Sequence, residues 1–302
     1  MPSILSAQTG LTWTNFSEPK PEELAELVRA TDVSVLDAEF IAQGNHRPEI
    51  TVRGNYLIIL VRVPVFNKHT RVTSAAPLYF IIRDNQLWTV HDIPIVVLEK
   101  LIQSYQETPD FMEEYFSDGS LSLALHIINH LYSTAFRKLE RLSKHITIAE
   151  DAVFHGNERK MVEEISILIR DVIDFRKIIR PQTSLFKKPP SHKFVTTELN
   201  SQWRRLHGQT YKLWDFLESL LENTTQLNDT NVNLLQHKEN ELLRLLTYYS
   251  IIAIPISILA TSFSPRGPDS LPLDKIIFWG MLGTLVLVLL LILFQFKKRR
   301  VL

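Results

Sequence analysis

The chain has no cysteine among its 302 residues and only nine glycines. The first absence excludes disulfides, thiolate metal sites and cysteine nucleophiles. The second goes with the lack of a phosphate-binding glycine loop, a nucleophile elbow or a dinucleotide fingerprint, and argues against a nucleotide partner or an enzyme built on those motifs. Net charge is missing as well. The 33 basic residues balance 33 acidic ones, so bulk charge argues against a nucleic-acid partner. The first 16 residues lack a basic n-region and an apolar h-region, so no signal peptide is read there.

What the chain does have lies near its end. Residues 276–296 carry no charged side chain, and neither do residues 245–263. At about 1.5 Å per helical residue, each run is long enough for a bilayer core of roughly 30 Å. Both read as transmembrane helices. Lys297, Lys298, Arg299 and Arg300 follow the second run directly, which places the C-terminus in the cytoplasm and returns residues 1–244 to the same side. Only residues 264–275 then face outward. Tyr248 and Tyr249 at the inner end of the first span, and Trp279 at the outer end of the second, suit interfacial aromatic belts. This predicts a multi-pass protein of the inner membrane with both termini cytoplasmic.

Ahead of the spans, residues 1–105 read as a small α/β domain. Pro21 opens a short helix over 22–30, and strands are expected at 49–52, 56–65, 78–82 and 87–91, the last two joined at Asp84-Asn85-Gln86. Residues 106–195 read as helical. They hold long helices over 120–149 and 159–180 and a linker at 186–191 around Pro189-Pro190. Residues 196–244 read as a stalk helix continuous with the first span, roughly 100 Å long in all at 1.5 Å per residue. Trp203, Leu206, Thr210, Leu213, Leu217, Leu220, Thr224, Leu227, Asn231 and Leu234 alternate spacings of three and four, a heptad seam. Such a rod needs partners. The polar seam positions Thr210, Thr224 and Asn231 predict a register-setting interface with other helices or sister subunits.

This order of elements resembles the CorA family of magnesium channels. His46-Arg47-Pro48-Glu49 with Asn55-Tyr56-Leu57 looks like the family's strand opening. Asn240-Glu241 through Leu246-Thr247, then Ile254-Pro255 and Ala260, looks like its pore-helix segment, and the tail FKKRRVL like its basic terminus. The resemblance implies an α+β membrane protein assembled as a funnel-shaped homopentamer, with first spans around a central pore and second spans outside. It places Asn240, Leu243, Leu246 and Ile254 on the pore, Asn240 as a polar ring and the others as an apolar constriction. Ordinary helix packing is the alternative reading of Leu243 and Leu246. The implied activity is passive transport of a divalent cation, with no enzymatic step and no resident cofactor. The implied partners are the lipid bilayer and other copies of the chain.

Two positions depart from the family pattern. Ungapped matching from Asn240 puts Ser264, Pro265 and Arg266 where the family carries Gly-Met-Asn at the outer mouth. One guanidinium about 7 Å from a magnesium ion costs roughly 1 kcal/mol even at bulk-water dielectric, and a ring of five adds up. Arg266 turned outward, onto Asp269 or lipid phosphate, would avoid that repulsion. Counting back 35 residues from Asn240, where the family's regulatory site has an acidic stalk residue, gives Arg205. Altered selectivity is therefore expected. A non-transporting scaffold or sensor, and an anion-conducting pore, stand as alternatives.

Two further clusters read more simply. His126 and His130 are spaced for zinc on one helix face, but no carboxylate lies between them, and a surface or packing pair is the plainer reading. Asp171 and Asp174, with Glu163 and Glu164 upstream, read as a solvated helix face.

Overall fold

A computed structural model of the chain describes residues 2–7, 10–44, 46–67, 72–108, 116, 118–190 and 197–262, with 280, 283–284 and 286–287 beyond them. The chain divides into two compact units, Met1–Asn231 and Val232–Leu302.

The first unit is built on a six-stranded sheet. Its strands are β1 (Ser3–Ser6), β2 (Thr12–Ser17), β3 (Glu49–Val52), β4 (Leu57–Asn67), β5 (Val72–Arg83) and β6 (Gln86–His91), in the spatial order β1-β2-β6-β5-β4-β3. β2 runs parallel to β6, and every other pair is antiparallel. The central strands β4 and β5 are buried along most of their length, and so read in sequence as continuous apolar runs. They are longer than the runs 56–65 and 78–82 suggest. Their extra residues include Ser74, Ala75, Pro77 and Asn67, none of which carries a strand signal. β1 and β2 have no expectation attached to them. Their polar positions hide a pattern that depends on long-range pairing, with Trp13 Nε1 donating to Thr89 Oγ1 at 2.9 Å and Thr89 donating to Asn15 Oδ1 at 2.7 Å.

Helices α1 (Pro21–Thr31) and α2 (Val35–Gln43) accompany one sheet face. Leu27, Val33 and Ile41 pack there with Tyr56, Ile58, Leu60, Tyr79, Ile81 and Trp88. α2 starts at Ser34, whose Oγ accepts from the Asp37 amide. Asp37 is the polar anchor of this layer. It accepts two hydrogen bonds from Arg53, at 2.8 and 2.7 Å, and one from the Tyr56 hydroxyl at 2.6 Å. Those bonds, Arg53's first, hold its carboxyl well below the usual range against the opposing cost of burial.

The longer helices are α3 (Val96–Glu107), α4 (Ser120–Phe154), α5 (Glu158–Ile179) and α6 (Thr197–Ser262). Gly156, at φ 88°, makes the left-handed turn between α4 and α5. The 3₁₀ turn Arg180–Gln182 then carries Gln182 into the core. Its side-chain amide donates to the Arg62 carbonyl at 2.8 Å and accepts from the Arg62 amide and the Tyr132 hydroxyl, tying β4 to α4. Residues 186–190 therefore do not begin a free linker. Phe186 is buried against Tyr132 and Trp203, and the two prolines follow an anchored turn.

The seam of α6 meets the first of its two expected partners, other helices of the same chain. Trp203, Leu206, Thr210, Leu213, Leu217, Leu220, Thr224, Leu227 and Asn231 are all buried within the single chain. The sequence cannot say which helices fill a heptad seam; here α4 and α5 do. Ser122 on α4 donates to Gln202 at 3.0 Å, and Phe136 stacks on Phe216 at 5.2 Å. On α5, Arg176 reaches Glu218 at 2.6 Å and lies over the Trp214 ring. The residue numbers rise together, so α4 and α6 run parallel. Thr210 and Thr224 donate to the carbonyls of Leu206 and Leu220 on their own helix, and Thr210 also meets the Tyr132 hydroxyl of α4.

Candidate functional site

In the second unit the described chain is the end of α6. It is long and apolar enough to cross a membrane, with a window of mean hydropathy 1.4 of which none is buried. Leu199–Ile258 is the only such helix among the described residues. Of residues 276–296, only 280, 283–284 and 286–287 are described, all helical. Ser264, Pro265 and Arg266 lie outside the described residues.

At about 100° per residue, Asn240, Leu243, Leu246 and Ile254 share one stripe of α6, within an arc of about 120°. Leu243, Leu246 and Ile254 are 58 to 61% exposed and Asn240 is exposed too, so no described part of the chain covers the stripe. Thr247, Ser250 and Ser257 fall in the same arc. Leu242, Leu245, Tyr249, Ile252 and Ile256 occupy the opposite face and are also exposed, with Glu241 and Tyr248 in the same sector. The aliphatic hydroxyls Thr247, Ser250 and Ser257 are thus confined to the stripe side.

Those hydroxyls are local in their bonding. Thr247 donates to the Leu243 carbonyl at 2.8 Å, Ser250 to that of Leu246 at 2.9 Å and Ser257 to that of Ala253 at 2.9 Å. A hydroxyl that spends its proton on its own backbone keeps its oxygen lone pairs outward as acceptors. The stripe therefore offers acceptor oxygens and an amide between apolar side chains, without a fixed charge. Sequence reasoning did not single out Thr247, Ser250 and Ser257. Their signal, hydroxyls recurring on one helical face of an apolar run, is present in the sequence. At the N-terminal end of the stripe, His237 and Glu241 lie 3.6 Å apart, one turn from each other and flanking Asn240 in sequence. Pro255 sits inside the helix without ending it.

The first unit holds the other positions of interest. Arg205 lines a polar cavity of about 220 Å³ with Asp118, Ser122, His126, Asn129 and Gln202. Burial pushes His126 down to about 4, helped by neighbouring His130, and burial lowers His130 as well. Both are neutral packing histidines at neutral pH. Among the described residues, no three His, Cys, Asp or Glu side chains come together as a metal site. Asp171, expected on a solvated face, is buried instead and accepts a short hydrogen bond from Thr73 on β5. Asp174 pairs with Lys177 at 3.1 Å on the surface.

A family model described as "CorA-like Mg2+ transporter protein" matches residues 8–298. The cobalt/magnesium transport protein CorA of Methanocaldococcus jannaschii is 25% identical over 304 residues, covering 95% of this chain and 90% of that one. The complete structure of the CorA magnesium transporter from that organism superposes with a TM-score of 0.77 at 24% identity, over 95% of this chain and 90% of that chain. The full-length CmaX protein superposes with a TM-score of 0.71 at 13% identity, over 92% of this chain and 87% of that chain.

Proposed function

This chain belongs to the CorA-like Mg2+ transporter family, and we propose that it passes a divalent cation through a pore lined by the Asn240–Ile254 stripe of α6 in a homopentamer. One observation carries the reading. Acceptor groups and apolar side chains alternate along one exposed face of a membrane-length helix. A hydrated cation needs acceptors it can touch, and apolar rings between them gate by shedding water. Asn240 is the inner polar ring and Leu243, Leu246 and Ile254 are the constriction, with Thr247 and Ser250 as intermediate acceptors. The ion is cargo, driven passively by the membrane potential. Residues 276–296 form the second span and both termini are cytoplasmic.

Selectivity follows the altered mouth. Ser264, Pro265 and Arg266 replace Gly-Met-Asn, and Arg266 raises the barrier to a divalent cation from outside. The test is ion flux into liposomes holding the purified full-length oligomer, comparing Mg2+, Co2+, Zn2+, K+ and chloride. Divalent flux that rises in Arg266→Asn and falls in Asn240→Ala supports the reading. Chloride flux would make the Arg266 ring the filter. No flux of any ion from intact oligomer would sink the pore and favour a membrane-anchored scaffold or sensor.

A further inference from the structure

The first unit holds a further cavity. A cavity of about 180 Å³ opens between β4, the start of α3 and the middle of α4. That is about six waters' worth of space at roughly 30 Å³ each. Val63, Phe66, Ile95 and Leu131 form its walls, while Thr134, Lys138 and Arg141 supply the only polar side chains. Exposed Val96 and Arg141 mark its mouth.

The cations are poorly matched by the chain itself. Lys138 Nζ donates to Thr73 Oγ1 at 2.9 Å and otherwise faces two rings, Phe66 at 4.7 Å and Phe175 at 4.8 Å. Its carboxylate, Asp171, stands one hydroxyl away, because Thr73 bridges them. Arg141 makes no ion pair among the described residues. The Thr134 hydroxyl accepts from Arg137 at 2.9 Å and keeps its own proton free to donate. A half-buried ammonium, a free guanidinium and a hydroxyl donor thus share an apolar chamber. Among the described residues, nothing anionic touches any of them directly.

We propose that this cavity binds a small monocarboxylate with a branched apolar body, the carboxylate between Lys138 and Arg141 and the body against Val63, Ile95 and Leu131. The size excludes a nucleotide or sugar phosphate. The apolar walls disfavour inorganic phosphate, which would leave three faces of an oxyanion dry. A planar carboxylate uses the guanidinium and ammonium together and needs no further donors.

The electrostatics support this. Burial pushes Lys138 down to about 8, reinforced by Arg141 and opposed by Asp171. The groups facing it are Asp171 and Phe175 from α5, Thr73 from β5, Phe66 from β4, and Arg141 on its own helix. A bound carboxylate favours the protonated amine, so binding holds below pH about 8 and weakens as pH rises through it.

The experiment uses full-length protein in detergent micelles and saturation-transfer NMR, with isobutyrate as probe and isobutyramide and phosphate as controls. The expected result at pH 7 is binding of isobutyrate about tenfold tighter than isobutyramide, no competition by phosphate, and loss of the difference at pH 9.5. Lys138→Met should weaken isobutyrate about tenfold while leaving isobutyramide unchanged. Should Lys138→Met fail to fold, Arg141→Gln at the exposed mouth should still weaken isobutyrate about threefold. Equal binding of acid and amide, effective competition by phosphate, or unchanged affinity in the variants overturns the proposal. The readout involves no ion flux, so it stands or falls separately from the pore.

Discussion

The two ends of α6 face the same problem, apolar side chains along a long helix, and meet it differently. Between Trp203 and Leu227 the apolar positions recur as a seam, and α4 and α5 bury that seam inside the chain. From Leu242 to Ile258 apolar residues stand on every face, and no described part of the chain covers them. A seam one stripe wide is the signature of a helix that will find neighbours in water. A helix apolar all round needs lipid or other copies of itself, because water would leave a whole cylinder of apolar surface exposed. The difference teaches where the fold ends and the assembly begins.

The contrast can be broken most directly by substitution. Leu217→Ala, at a site with no exposure, should destabilise the first unit by about 3 kcal/mol in urea titration, since it leaves a cavity. Leu245→Ala, half exposed, should shift the same midpoint by less than about 0.5 kcal/mol. Equal losses at both sites would show that the second half of α6 is also covered within one chain.

Next in size is the anchor of α2. Asp37→Ala should cost about 3 kcal/mol, because Arg53 and Tyr56 lose their shared acceptor. Its carboxyl is depressed in the folded state, so its stabilising share is fully present above the unfolded value of about 4 and drains away as pH falls below that. The gap in urea midpoint between wild type and Asp37→Asn should therefore narrow from pH 7 to pH 3 without closing, because the folded carboxyl is still ionised at pH 3. Gln182→Ala should cost about 2 kcal/mol by leaving the Arg62 backbone and the Tyr132 hydroxyl unpaired. The matching polar deletions in the second unit should touch flux rather than folding. Asn240→Ala should reduce divalent flux about tenfold, equivalent to ~1.4 kcal/mol of barrier. Thr247→Ala and Ser250→Ala should each reduce it only about twofold to threefold, as each removes one weak acceptor. A fall of unfolding midpoint in these last variants would show that their hydroxyls pack within a protomer.

Much of this was legible in the chain, for reasons that differ by element. β4, β5 and β6 announce themselves because both-face burial demands unbroken β-branched and aromatic runs. β2 stays hidden because it pairs with β6 across more than 70 residues, as in Trp13 to Thr89, and β1 because it pairs only with β2. Gln182 was invisible for the same reason, since its partners Arg62 and Tyr132 are distant in sequence. Asp171 read as solvated because a helical carboxylate three residues from Asp174 resembles any surface face, until β5 places Thr73 against it. The stripe of Asn240, Leu243, Leu246 and Ile254 followed from family resemblance, and helix periodicity alone adds Thr247, Ser250 and Ser257 to it.

By itself, then, the sequence determined the elements whose signal is local: the helical period of α6, its apolar end, and the strands dense enough in apolar side chains to need no neighbour's testimony. Tertiary structure decided which surfaces meet. It turned the seam of α6 inward onto α4 and α5, folded Phe186 and Gln182 into the core, and set Lys138 beside Arg141 in an apolar chamber. Periodicity encodes that a face will be buried, because burial follows from side-chain chemistry repeated along one element. The partner of that face depends on the geometry of the whole chain, which no single stretch of it carries.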